Sequence, residues 1–232
     1  MIWLAIDTAN IPLSVAIVQD GKILTEENSA VAINHSLRAM PAIEEAFERA
    51  KIKPSDIDRI VVAEGPGSYT GVRIGVTIAK TLSWTLEKPL VGVSSIEALA
   101  MNVGLYEGYV CPLIDARRKH VYTGAYDMKA GQMNAVIPDQ HIDIETWILR
   151  LKELNKPVLF IGQDIEMYRE ELKEQMGEQA LFAPFQLNVP RASSLVAIAE
   201  NKETLAEVHE FVPSYHRIAE AEANWLKAQR KE

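Results

Sequence analysis

Cysteine is almost absent from this sequence: Cys111 stands alone. One thiol cannot close an internal disulfide or build a zinc site by itself, which excludes a disulfide-stapled scaffold and fits a reducing, cytoplasmic setting. No stretch approaches the ~20 apolar residues of a membrane span. The opening Met1-Ile2-Trp3-Leu4-Ala5-Ile6-Asp7 lacks the basic region of a signal peptide, and Asp7 interrupts its apolar run. Proline- or serine-rich linkers and low-complexity tracts are missing too. Basic residues are in deficit, 24 Lys and Arg against 32 Asp and Glu, a net charge of −8. Phosphate contacts need clustered Lys and Arg, so this is a poor stand-alone nucleic-acid binder. The histidines, His35, His120, His141, His209 and His216, include no pair at helical metal-ligand spacing, since Arg38 and Ala39 follow His35 at those positions. No metal site is expected.

What is present is an ordinary globular composition, 48% apolar and 24% charged over 232 residues, enough for one large domain or two small ones. Alternating apolar runs predict strands at 2–7, 13–18 and 22–28, the last two joined by Asp20-Gly21, a type I′ hairpin signal. A helix capped by Asn34 or Ser36 runs to about Lys51, with a kink expected at Pro41. A strand at 59–63, a glycine-rich turn at 65–71, a helix at 72–86, a strand at 90–93 and a helix at 95–101 complete the half. The second half repeats the order: strands at 109–114, 119–127 and 132–137, a helix at 144–155, a strand at 158–161, a helix at 165–175, a weak strand at 180–183 and a helix at 192–200. Asp7 and Asp115 occupy matching positions at the end of each first strand. The fold class is α/β, with two copies of one mixed-sheet unit, an antiparallel meander continued by parallel crossovers. Asn102 to Gly108 is the boundary, giving an N-terminal unit at 1–105 and a C-terminal unit at 106–232. The latter ends in a Pro213-Ser214-Tyr215 turn and a helix-prone tail from Ile218 to Lys231.

Several residues carry potential chemistry. Asp7 and Asp115 would face each other across a cleft in such a duplicated fold and could hold a metal–nucleotide, or each could simply cap a turn. A phosphate cradle needs glycines in its hairpins. The loop Thr8-Ala9-Asn10-Ile11-Pro12 and the loop Ala116-Arg117-Arg118-Lys119 have none. The segment Gly65-Pro66-Gly67-Ser68-Tyr69-Thr70-Gly71 departs from the dinucleotide fingerprint, the Walker loop and the nucleophile elbow. It is either a tight structural connection or an anion-receiving turn, with Arg73 one turn along as the residue best placed to reach a ligand. The helix that follows is apolar around most of its circumference, so it is either buried within the monomer or packed on two surfaces at once. Gly75 and Ala79 form a small-residue pair suited to close helix approach. With the helix at 35–51 this gives an interface built from His35, Leu37, Met40, Phe47, Val72, Gly75, Val76, Ala79 and Leu82.

Taken together, Ile6-Asp7-Thr8, His35-Ser36, the run from Gly65 to Gly75, Gly92 to Leu99 and Asp115-Ala116-Arg117 resemble the bacterial TsaB family, also called YeaZ. The resemblance is dense in the first half and sparse in the second, ending at Pro213-Ser214-Tyr215 and Ala219-Glu220-Ala221-Glu222. It implies a duplicated RNase H-like, actin- and Hsp70-like (ASKHA) fold. It also implies a non-catalytic role in forming threonylcarbamoyladenosine at position 37 of tRNA, in complex with a TsaD-like catalytic paralogue and a TsaE-like ATPase. The chain would meet tRNA only through that complex and form a homodimer when alone. The catalytic relative holds a metal with an H-x-x-x-H pair, and here Ala39 stands in place of the second histidine. No tightly bound cofactor is therefore expected, with ATP or ADP and magnesium entering only in the complex. Asp7, Thr8, Gly65, Gly67, Ser68, Tyr69, Thr70, Arg73, Asp115 and Arg117 would then mark a vestigial or shared ligand site. The rival reading on the same fold is an autonomous ATP-dependent phosphotransferase of the sugar- or acetate-kinase kind, using Asp7 and Asp115 with magnesium.

Overall fold

The computed structural model describes residues 1–31, 34–129, 131–202 and 208–216. The tail helix expected over Ile218 to Lys231, and with it Ala219-Glu220-Ala221-Glu222, lies outside the described residues.

The first half runs β1 (Ile2–Asp7), β2 (Leu13–Gln19), β3 (Lys22–Ser29), α1 (His35–Ala50), β4 (Arg59–Gly65), α2 (Tyr69–Leu86), β5 (Leu90–Ser94) and α3 (Ser95–Met101). The second half runs β6 (Tyr109–Asp115), β7 (His120–Lys129), β8 (Gln132–Asp143), α4 (Ile144–Glu153), β9 (Val158–Ile161), α5 (Ile165–Met176), β10 (Ala180–Phe182) and α6 (Ala192–Ala199). The strand orders are β3-β2-β1-β4-β5 and β8-β7-β6-β9-β10. Each sheet thus places its third, second, first, fourth and fifth strands side by side. In both, an antiparallel meander is extended by parallel strands. This is the duplicated mixed-sheet unit read from the order of elements, and it agrees with the RNase H-like fold that the resemblance implies.

Local chemistry explains most element ends. Asp20 and Gly21 both take positive φ, 48° and 74°, as a type I′ turn requires. Asn34 caps α1 by accepting from the Ser36 amide, and Asp143 caps α4 by accepting from Glu145 and Thr146. α1 runs unbroken through Pro41. That residue is exposed, so the Leu37 carbonyl it leaves without a helical donor lies on the solvent side. Two boundaries differ from expectation by three residues or more. α2 starts at Tyr69 rather than Val72, because the Ser68 hydroxyl caps it by accepting from the Gly71 amide at 3.3 Å. β8 continues past Pro138 to Asp143 because it is an edge strand, where a missing N–H is tolerated, and the pairing with β7 is irregular there.

The helices cross over between the halves. α1 and α2 cover one face of the first sheet, and the other face is covered by α6, through Ala192, Leu195, Val196 and Ala199. The second sheet has α4 and α5 on one face and α3 from the first half on the other, through Ile96, Leu99 and Ala100 against Val110, Ile114 and Tyr126. A division of the sequence at residues 105 and 106 therefore separates the sheets but not the cores. α6 is anchored by Glu26 of β3, which accepts from the Ser193 amide and hydroxyl at 2.9 and 2.6 Å and from Arg191 Nε at 3.0 Å. No helix among the described residues is long and apolar enough to cross a membrane.

Candidate functional site

The strand ends of the two sheets open onto a cleft of about 710 Å³ between the halves, within the size range of small-molecule sites. From the first half come Asn10, Ile11 and Pro12 of the β1–β2 loop and Pro66 to Thr70 at the start of α2. The second half contributes Asp115, Ala116 and Arg117 after β6, Tyr122 of β7, and Gln163, Asp164 and Asn188. A third wall comes from Ser214, Tyr215 and His216.

Gly67, Gly71 and Gly75 explain the glycine-rich segment. A Cβ on any of them would collide with Ala9 O, Thr8 O or Thr8 Oγ1 respectively, so their spacing lets α2 lie directly on the first hairpin. The hairpin is tied down in return. Thr8 Oγ1 donates to Gly71 O at 2.7 Å, the Ser68 amide donates to Ala9 O at 2.7 Å, and the Ala9 amide donates to Asp7 Oδ1 at 2.9 Å. His35 Nε2 donates to Asn10 O at 2.8 Å. The second hairpin likewise spends its donors internally: the Ala116 amide on His120 O, the Arg117 amide on Asp115 Oδ1, and the Asp115 amide on Asp164 Oδ2. The Gly162 amide goes to Asn188 Oδ1.

The two aspartates are not a matched pair. Asp7 is buried and absent from the cleft lining; its Oδ2 has no hydrogen-bond partner among the described residues. Burial pushes its carboxyl up to about 6, against the smaller pull of the Ala9 amide. Asp115 does line the cleft, but its Oδ1 accepts from Tyr168 OH at 2.6 Å. Burial raises the carboxyl of neighbouring Asp164, and the charge of Asp115 adds to the effect. Asp7 and Asp115 are not brought together on the cleft lining, since Asp7 is buried and only Asp115 belongs to it. Around the cleft the amides of Ser68, Ala9, Ala116, Arg117 and Gly162 bond the chain's own acceptors.

Of the other marked residues, Thr8 and Gly65 are buried beneath the cleft, while Gly67, Ser68, Tyr69, Thr70 and Arg117 line it. Arg73 does not; it donates to Tyr69 OH and lies over the Tyr69 ring at 5.1 Å. On its other flank Tyr69 stacks on Tyr215, with centroids 5.4 Å apart. The segment carrying Tyr215 follows α2 back along its length. Trp84 packs near His209, Lys80 Nζ donates to His209 O and Phe211 O, and the Ser214 amide donates to Glu64 O at 2.8 Å. Tyr122, Asn188, Tyr215 and His216 are not among the site residues expected from the sequence, since nothing local to them signals a site.

The expected interface is split. Phe47, Val72, Gly75, Val76 and Ala79 are buried, and Leu82 and His35 are partly so. They pack α1 and α2 on the first sheet. Leu37 and Met40 remain outside, 69% and 47% exposed. Half-buried Ile74 and Ile78 lie on α2, where the sequence reading had not singled them out.

Comparison with known proteins agrees with this architecture. A family model described as "TsaD: tRNA N6-adenosine threonylcarbamoyltransferase" matches residues 27–225. The tRNA threonylcarbamoyladenosine biosynthesis protein TsaB of Bacillus subtilis is 43% identical over 230 residues, 99% of this chain and 100% of that protein. Its Escherichia coli counterpart is 35% identical over 125 residues, covering 53% of this chain and 54% of that one. Among solved structures, a Pseudomonas aeruginosa protein described as similar to the peptidase YeaZ superposes with a TM-score of 0.77 at 25% identity, over 93% of this chain and 99% of that one. YeaZ from Pseudomonas aeruginosa gives 0.74 at 24% identity, over 92% and 99%, and bears on the fold alone.

Proposed function

The chain belongs to the TsaB family, and with it to the wider family of TsaD-like proteins, and from that premise we propose that it serves tRNA threonylcarbamoyladenosine biosynthesis as a non-catalytic partner subunit. Its principal partner is a TsaD-like relative that carries out transfer of the threonylcarbamoyl group from its adenylate to adenosine 37. A TsaE-like ATPase is the further partner, and tRNA is met through the assembly. The observation that carries the non-catalytic assignment is the internal use of amides around the cleft: Ser68, Ala9, Ala116, Arg117 and Gly162 all donate to the chain's own acceptors. The kinase reading needs Asp7 beside a nucleotide, and Asp7 is buried and absent from the cleft lining.

Docking uses the outer side of α1 and α2, now reduced to Leu37, Met40, Ile74 and Ile78 and bordered by the exposed carboxylates of Glu44, Glu45 and Glu48. A lone chain would cover the same strip with a second copy of itself, since exposed apolar patches favour association. Co-purification with a TsaD-like protein, followed by assay of tRNA modification with and without this chain, tests the proposal. Dependence of modification on the chain, and no ATP turnover by the chain alone, is the expected result. Turnover by the isolated chain would overturn it.

A further inference from the structure

Among the described residues, the turn after β6 is the conformational outlier. Arg117, Arg118 and Lys119 take φ values of 66°, 57° and 59° in succession, a left-handed run that side chains with a Cβ resist. The other non-glycine residues with positive φ, Asp20, Lys51, Glu87 and Asn155, occur singly, and Lys51 and Glu87 close helices. The run after β6 is held by the Ala116 amide on His120 O, the His120 amide on Arg117 O and the Ile144 amide on Lys119 O, with Lys119 paired to Glu145. Strain of this kind gathers where a side chain has to be delivered to a particular place.

What the turn delivers is Arg117, an exposed residue of the cleft lining. Its guanidinium makes no hydrogen bond or ion pair among the described residues. The carboxylates on the same lining are occupied elsewhere: Asp115 with Tyr168 OH and the Arg117 amide, Asp164 with the Asp115 amide. The rest of the cleft offers aromatic and apolar surface, from the stacked Tyr69 and Tyr215, from Tyr122 and from Leu99. A polyphosphate would find few free backbone donors here. A single planar anion finds a guanidinium fork of matching geometry, and an aromatic body finds rings to stack on.

We propose that the cleft binds a small molecule carrying one carboxylate on an aromatic or apolar body, with Arg117 gripping the carboxylate. This goes beyond the partner-subunit assignment and does not depend on it. The test is a nuclear magnetic resonance titration of the full chain with 3-phenylpropanoate, its neutral amide, and ADP with magnesium as separate arms. Saturable shifts of the Tyr69, Tyr122 and Tyr215 ring signals are expected with the carboxylate, with the amide weaker by about ten-fold. Arg117→Gln should weaken carboxylate binding by a similar factor. Arg117→Gly keeps a backbone at ease in the left-handed region, so it should raise the melting temperature while abolishing binding. Equal binding of amide and carboxylate, retained binding in Arg117→Gly, a preference for ADP with magnesium, or no saturation in any arm would each overturn the proposal.

Discussion

The hydroxyl of Thr8 occupies the space that any side chain on Gly75 would need, while donating at 2.7 Å to the Gly71 carbonyl. Helix α2 and the first hairpin therefore fit only when position 75 carries no Cβ. Gly75→Ala should destabilise the fold by about 1–3 kcal/mol through overpacking, seen as a lower urea midpoint with an unchanged slope. A Gly75→Ala variant as stable as the parent would refute this account of the close approach.

The docking strip predicts the opposite behaviour. Leu37→Glu and Met40→Glu place charge on exposed positions and should leave stability within about 0.5 kcal/mol of the parent. In a reconstituted modification assay the double variant should lose at least about ten-fold in activity, a change of roughly 1.4 kcal/mol in complex formation. Normal activity would move the interface elsewhere.

Asp7 gives stability a pH signature. Its folded-state pKa is raised, by burial first, to about 6 from the ordinary 3.8, so between those values the folded chain holds a proton that the unfolded chain has released. The stability attached to that proton is complete below about pH 4 and is lost as pH rises through about 6. A shift of this size corresponds to roughly 3 kcal/mol. Asp7→Asn should remove most of this decline, so that the variant gains on the parent between pH 4 and 7. Parallel urea titrations across that range would show it, and identical pH profiles would contradict it.

Cys111 is buried between Thr123 and Trp147, whose Nε1 donates to its sulfur at 3.2 Å. Burial pushes the thiol up to about 12. Alkylation by iodoacetamide at pH 8 should therefore proceed only as fast as the chain unfolds, and rapid labelling of native protein would show the site to be open.

Glu26 holds α6 on the first sheet. Burial opposes its ionisation, yet the hydrogen bonds from Arg191 and Ser193 outweigh burial and keep the carboxyl below the usual range. Its contribution is thus present at neutral pH and fades as pH falls through that lowered value. Glu26→Ala should cost about 2–4 kcal/mol and raise amide exchange selectively in α6; uniform exchange would detach the residue from that role.

The sequence made the repeat legible because helical and strand periodicities recur in one order, and because Asp20-Gly21 and Asn34 carry their turn and cap chemistry locally. The glycines at 67, 71 and 75 announced a close contact but not with what, since Thr8 and Ala9 lie some sixty residues earlier. The apolar circumference of α2 said that two surfaces are covered and not which residues face which. That is why Gly75 and Ala79 read as a docking pair until their burial against the first sheet was seen. Tyr215 meets Tyr69 across 146 positions of sequence, a pairing that no local pattern encodes.

The exchanged helices make each half the guarantor of the other. Fragments cut between residues 102 and 108 would each carry a helix cut off from the opposite sheet it packs on, while keeping a sheet with one face stripped bare. Neither piece should persist alone, and mixing the two should restore a single cooperative species, so a chain read as two modules behaves in solution as one indivisible object.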